Sequence, residues 1–163
     1  MPRVQHRLRE LPPEQRMAGL AAAALAASLL LPWYQKSFVP PGRSAFVQDN
    51  LSAFGVFTFV EAAVLLVAAG VLFLIWARAQ GKGFHLPGGD GVVISAAGGW
   101  AMLLLVWRVF DRPGPDGPST DVGIQWGFFF AIAAAAALIA AGARVRAAHR
   151  PEPPNPAEDL DWE

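Results

Sequence analysis

Glu61 and Arg108 are the residues of this chain most able to do chemistry where chemistry is least expected, because both fall within long apolar runs. Glu61 lies in Phe54–Ala77 and Arg108 near the end of Val92–Phe110. Charge is expensive at membrane depth, so an ionisable group there marks a functional site or a partner. Counted from the outer edge of its run, Glu61 lies about nine residues in, or ~13 Å at 1.5 Å per residue. Thr58 precedes it on the same helical face, and Gln125 stands about one turn inside a further run, Val122–Ala143. Two arrangements follow. Glu61, Arg108 and Gln125 could line a small polar pocket open to the outer face and rimmed by Trp33, Trp107 and Trp126. Such a pocket suits a lipid headgroup, a quinone ring or a helix of complementary charge. Alternatively, Glu61 and Arg108 pair and lock one helix against the next. A proton relay needs further titratable groups along its path, and the inner half of the runs has none.

The elements that must position these groups are four apolar runs, Met17–Tyr34, Phe54–Ala77, Val92–Phe110 and Val122–Ala143. Each is close to the ~20 residues a helix needs to cross a bilayer. Charged residues make up 16% of the chain, against roughly 25% in soluble domains, so charge is depleted. The expected fold class is all-α, an integral up-down four-helix transmembrane bundle. Residues 1–16 read as a basic cytoplasmic arm, 17–143 as the four-span bundle and 144–163 as a disordered cytoplasmic tail. Met17–Tyr34 reads as an uncleaved first span, with cleavage as a signal peptide the alternative: Pro32-Trp33-Tyr34 stands where a small-residue cleavage site belongs. Gln35–Ser52 and Asp111–Asp121 read as outer loops, and Ala79–Gly91 as an inner loop in which Asp90 could cap the third helix.

Lys and Arg near the span ends set orientation. Arg3, Arg7, Arg9, Arg16, Arg78, Lys82, Arg144, Arg146 and Arg150 fall on one side, against Lys36, Arg43, Arg108 and Arg112 on the other. The excess places both termini in the cytoplasm. Trp33, Tyr34, Trp107 and Trp126 then form an outer aromatic belt. Lipid gives helices no hydrophobic reason to associate, so small residues must let them approach. Gly123, Gly127, Ala131 and Ala135 form one such stripe, Gly19, Ala23 and Ala27 another, and Ser95 to Gly99 are all small.

Several chemistries are excluded or disfavoured. The formal charge is zero, which gives no pull toward nucleic acid. There is no cysteine, hence no thiolate metal site or disulfide exchange. His6, His85 and His149 lie outside the runs and share no metal-ligand spacing. The glycines of Pro87-Gly88-Gly89-Asp90-Gly91 are followed by Val92-Val93 rather than the Lys-Ser/Thr of a phosphate loop. Ser28 and Ser95 are lone hydroxyls expected to bond back to their own helices. No catalytic constellation appears, so neither an enzyme nor a cofactor or metal is expected. The expected partners are the lipid bilayer and a membrane protein or a second copy of the chain.

Leu31-Pro32-Trp33-Tyr34, Phe59-Val60-Glu61-Ala62, Arg108-Val109-Phe110-Asp111-Arg112-Pro113 and Gly123 to Ala131 together resemble a set of small four-span proteins common in actinobacteria. The likeness covers all four runs. It implies the topology and a recurring acid–arginine pair, and it carries no reaction with it. The functional expectation is therefore an accessory or scaffold subunit that associates through its spans, with a lipid- or small-ligand-binding protein as the alternative.

Overall fold

The structure, a computed structural model, describes residues 11–39, 47–81, 86–112 and 120–148. Within them the fold is mostly helical. Helix α1 (Pro13–Ser28) opens on a proline, whose missing N–H is no loss in a first turn, and places Glu14 at its positive end. Its 16 residues span ~24 Å, less than the ~30 Å of a hydrocarbon core. Pro32 ends the helical path. The run expected to stay helical to Tyr34 is cut there, and Trp33 and Tyr34 belong to strand β1 (Pro32–Phe38). Helices α2 (Phe59–Ala79), α3 (Gly89–Phe110) and α4 (Trp126–Ala148) follow, with 21, 22 and 23 residues. These three are long and apolar enough to cross a membrane.

The all-α expectation needs correction. Strands β2 (Val47–Ser52) and β3 (Thr120–Ile124) flank β1 in a three-stranded antiparallel sheet, order β2–β1–β3. The sheet uses both ends of Gln35–Ser52, expected to be loop, and takes Val122–Ile124 from the start of the fourth apolar run. A short 3-10 turn, Ala53–Val56, takes the start of the second run. Strands of five to seven residues carrying Gln35, Lys36, Gln48, Asp49 and Asp121 are too short and polar to show as apolar periodicity. What makes them strands is pairing, of β1 with its near neighbour β2 and with the distant β3.

One irregularity matters. Pro32 pairs with Ser52 and Tyr34 with Leu51, so Trp33 is an extra residue on β1, a β-bulge. Strand neighbours normally face opposite sides, yet the bulge lets Trp33 and Tyr34 both point inward, and both are fully buried. The Trp33 indole N–H donates to the Ser28 carbonyl at 2.7 Å, beside the Leu31 backbone N–H at 3.1 Å, so this carbonyl at the end of α1 has two donors. Its ring meets Phe128 edge-on at 5.3 Å. Trp33→Phe is expected to destabilise the protein by about 1–3 kcal/mol, because it removes one buried hydrogen bond and leaves a void where the larger ring packed. Unfolding in mixed micelles measures it, and an unchanged midpoint contradicts it.

The helices form a ring in which α1 packs against α2 and α4, and α3 against α4 and α2. Residue contacts fix the directions. Gly91 lies against Arg146 and Gly98 against Ile139, while Gly127 lies against Pro32 and Arg144 reaches Met17. Neighbours are therefore antiparallel, an up-down arrangement. Leu25, Val64, Ala68, Ile94, Leu105 and Leu138 are among the core residues. The α3–α4 seam is the closest: Gly91, Ser95 and Gly98 face Gly142, Ile139 and Ala135. Ser95 Oγ contacts the Ile139 carbonyl across this seam at 3.4 Å rather than bonding within its own helix. Ser28 does bond back, to the Leu25 carbonyl at 2.6 Å.

The small-residue stripes are redistributed. Gly127, Ala131 and Ala135 are buried as a stripe, but Gly123 lies on β3. On α1 the packed face is Ala18, Ala21, Ala22 and Leu25, whereas Ala23 and Ala27 are exposed. Residues 13–16 of the expected arm belong to α1, and 144–148 of the expected disordered tail belong to α4, while 1–10, the three histidines and 149–163 lie outside the described residues.

Candidate functional site

Glu61 is the third residue of α2 and Arg108 the third from the end of α3. Because α2 starts at Phe59, Glu61 sits only ~3 Å along the helix axis, not ~13 Å. The carboxylate therefore lies in a first turn, where the helix dipole favours it, and the guanidinium in a last turn, where the opposite end of the dipole does the same. Antiparallel packing brings the two together. Arg108 Nε donates to Glu61 Oε1 at 2.7 Å. Glu61 is fully buried and Arg108 is 3% exposed.

Further bonds among the described residues tighten this pair. Glu61 Oε2 accepts from the Thr58 backbone N–H at 2.8 Å and from the Thr58 hydroxyl, the reach-back half of a capping box. Arg108 Nη1 donates to the Asp111 carbonyl, which closes the end of α3, and lies 3.7 Å from Asp111 Oδ2. Its guanidinium carbon is 5.5 Å from the centre of the Tyr34 ring, within cation–π range. The sheet, through Tyr34, thus roofs the pair.

Gln125, Trp33, Trp107 and Trp126 do not join it. Gln125 precedes α4 rather than lying inside it. Its backbone N–H donates to the Trp33 carbonyl at 2.8 Å and its side-chain amide to Gln35 Oε1. Gln35 in turn donates to Gln48 at 2.7 Å, so three amides form a chain across the sheet. Trp33 is interior, as is Tyr34, so neither belongs to an aromatic belt. Trp107 and Trp126 face outward. What the cluster can do chemically is hold two helix ends in register. Its buried ionisable members, Glu61 and Arg108, are bonded to each other, and its exposed members are Thr58 and Asp111.

Two features escaped sequence reasoning. One is a second clamp at the other end of the same helix pair: Arg78 bonds Asp90 through Nε and Nη2, each at 2.7 Å. Gly88 rather than Asp90 is the N-cap of α3, with φ +78°. A cation in the last turn of one helix and an acid in the first turn of the next, across a short connection, was the signal. Between the clamps α2 and α3 pack less intimately, leaving an apolar groove of about 320 Å³ beside Val67, Gly70 and Val93. Ion pairs at both ends tie a hairpin whose middle is thinly packed.

The other feature is Tyr34. Its hydroxyl is buried and has no hydrogen-bond partner among the described residues. Burial pushes the phenol up to about 12 from its ordinary 10, overcoming the opposing pull of Arg108. It is the only tyrosine, so phenolate absorbance reads it alone. The unfolded chain loses this proton first, so stability is expected to be intact below pH 10 and to fall as pH rises toward about 12. A phenolate signal with an ordinary midpoint contradicts this. Tyr34→Phe is expected to be neutral or to stabilise by about 1 kcal/mol, since it removes a buried unsatisfied group.

The chain matches no protein-family model and none of the curated proteins.

Proposed function

We propose that this chain is a multi-pass plasma-membrane protein with both termini in the cytoplasm, acting as an accessory or scaffold subunit. It associates through its helices with a second copy or with a larger complex of the cell envelope. The observation that carries this reading is the division of labour between inside and outside. The ionisable groups Glu61 and Arg108 are occupied in holding the fold, while the outward faces of α2, α3 and α4 carry Leu66, Phe73, Trp100, Leu103 and Phe129. Such faces suit lipid or another membrane helix. As the fourth crossing, α1 is extended by the turn Leu29–Leu31, and a bilayer thins to meet a short helix at modest cost. Arg16, Arg78, Arg144 and Arg146 at one end of the bundle support the orientation. An outer-face ligand pocket has less support, because the side chains it needs are already bonded to each other and to Thr58 and Asp111.

Membrane fractionation and site-specific photocrosslinking test this. The chain is expected to stay with membranes after alkaline extraction. A crosslinker at outward Leu66 or Trp100 is expected to capture one reproducible membrane-protein neighbour or a second copy, and one at inward Ala101 is not. Release into the soluble fraction overturns the membrane reading; crosslinks to lipid alone overturn the scaffold reading.

A further inference from the structure

Resting on the membrane reading above, we propose that the groove between α1 and α2 near their cytoplasmic end binds one anionic glycerophospholipid, with an acyl chain along the groove and the phosphate on Arg16. The groove measures about 520 Å³, within the ~300–1,000 Å³ of ligand sites. Its walls are Gly19 and Leu20 from α1 and Leu72, Ile75 and Trp76 from α2, with Arg16 at its mouth. The lining is otherwise almost wholly apolar. Gly19 leaves the recess: a Cβ there would come only to 3.4 Å of Ile75 Cγ2.

The charge selects the occupant. Arg16 makes no side-chain hydrogen bond or ion pair among the described residues, unlike Arg78 and Arg108, whose carboxylate partners are in place. Glu14, two residues earlier on α1, points ~200° away around the helix and cannot serve the groove. Trp76, near the end of α2, marks the headgroup level, where indole rings prefer to sit. A helix of another protein would need an acid at the matching height. The inner leaflet presents a phosphate there everywhere, and anionic headgroups add the attraction that selects among lipids. The acyl chain replaces the packing that a larger residue at position 19 would supply.

The test uses the full chain in detergent, with phosphatidylglycerol and phosphatidylcholine of equal chain length as probes and native mass spectrometry as readout. The wild type is expected to retain one phosphatidylglycerol in preference to phosphatidylcholine. Arg16→Gln is expected to reduce that preference roughly fivefold, and Arg16→Glu to reverse it, with no change in folding at this exposed position. Gly19→Leu fills the groove and is expected to reduce retention of both lipids. An unchanged preference in both Arg16 variants overturns the inference. So does an equal loss in Arg144→Gln, which would mean diffuse attraction rather than a site. If the chain fails to partition into membranes, the membrane reading itself fails. If it partitions and shows no dependence on Arg16, only this inference does.

Discussion

Arg108→Ala is expected to lower stability by about 3–5 kcal/mol, because it strands a fully buried carboxylate without its cation. The loss has several parts. Glu61 keeps the Thr58 donors but loses the 2.7 Å bond from Nε. The Asp111 carbonyl at the end of α3 loses its donor, and the Tyr34 ring loses the guanidinium beside it. The decisive comparison is the double variant Glu61→Gln/Arg108→Gln. Two neutral amides carry little desolvation cost, and a buried ion pair is often replaceable as a unit although neither half is removable alone. The double variant is expected to recover most of the stability lost by the single one. Unfolding in mixed micelles gives both numbers. If the double variant is as unstable as Arg108→Ala, or Arg108→Ala is mild, the pair does not hold the helix ends as described.

Comparable losses are expected at the α3–α4 seam. A Cβ on Gly91 would lie 2.4 Å from the Arg146 backbone nitrogen, and one on Gly142 would lie 2.5 Å from that of Ser95. Neither obstacle is a side chain that can swing aside, so the helices must separate. Gly91→Ala and Gly142→Ala are each expected to cost about 2–3 kcal/mol through overpacking. Gly70 and Gly99 serve as controls, since nothing lies within 4 Å of a Cβ built on either. Alanine there removes the glycine penalty within a helix and is expected to stabilise by up to about 1 kcal/mol. If all four substitutions behave alike, the seam is not set by backbone approach.

These contrasts explain how much was legible in the sequence. The three long helices show as apolar runs because their outward-facing and core-facing positions are both largely apolar. Glu61 and Arg108 stand out for the same reason. Helix ends were harder to place. Phe54–Val56 and Val122–Ile124 are as apolar as the helices they precede, yet they form a 3-10 turn and a strand. Hydropathy counts residues without sensing the hydrogen-bond pattern that divides them. That error placed Glu61 too deep and put Gln125 inside a helix. Burial of Trp33 and Tyr34 was illegible because it follows from the pairing of Pro32–Phe38 with two other strands, one of them distant in sequence.

The extra residue on β1 gives that short strand two duties. One ring is anchored to the last turn of α1, and its immediate neighbour is pressed over the guanidinium that joins α2 to α3. Slippage along the strand would therefore disturb three helices together. In this stretch a change of side chain is a graded injury, whereas a change in the number of residues rewires the end of the bundle.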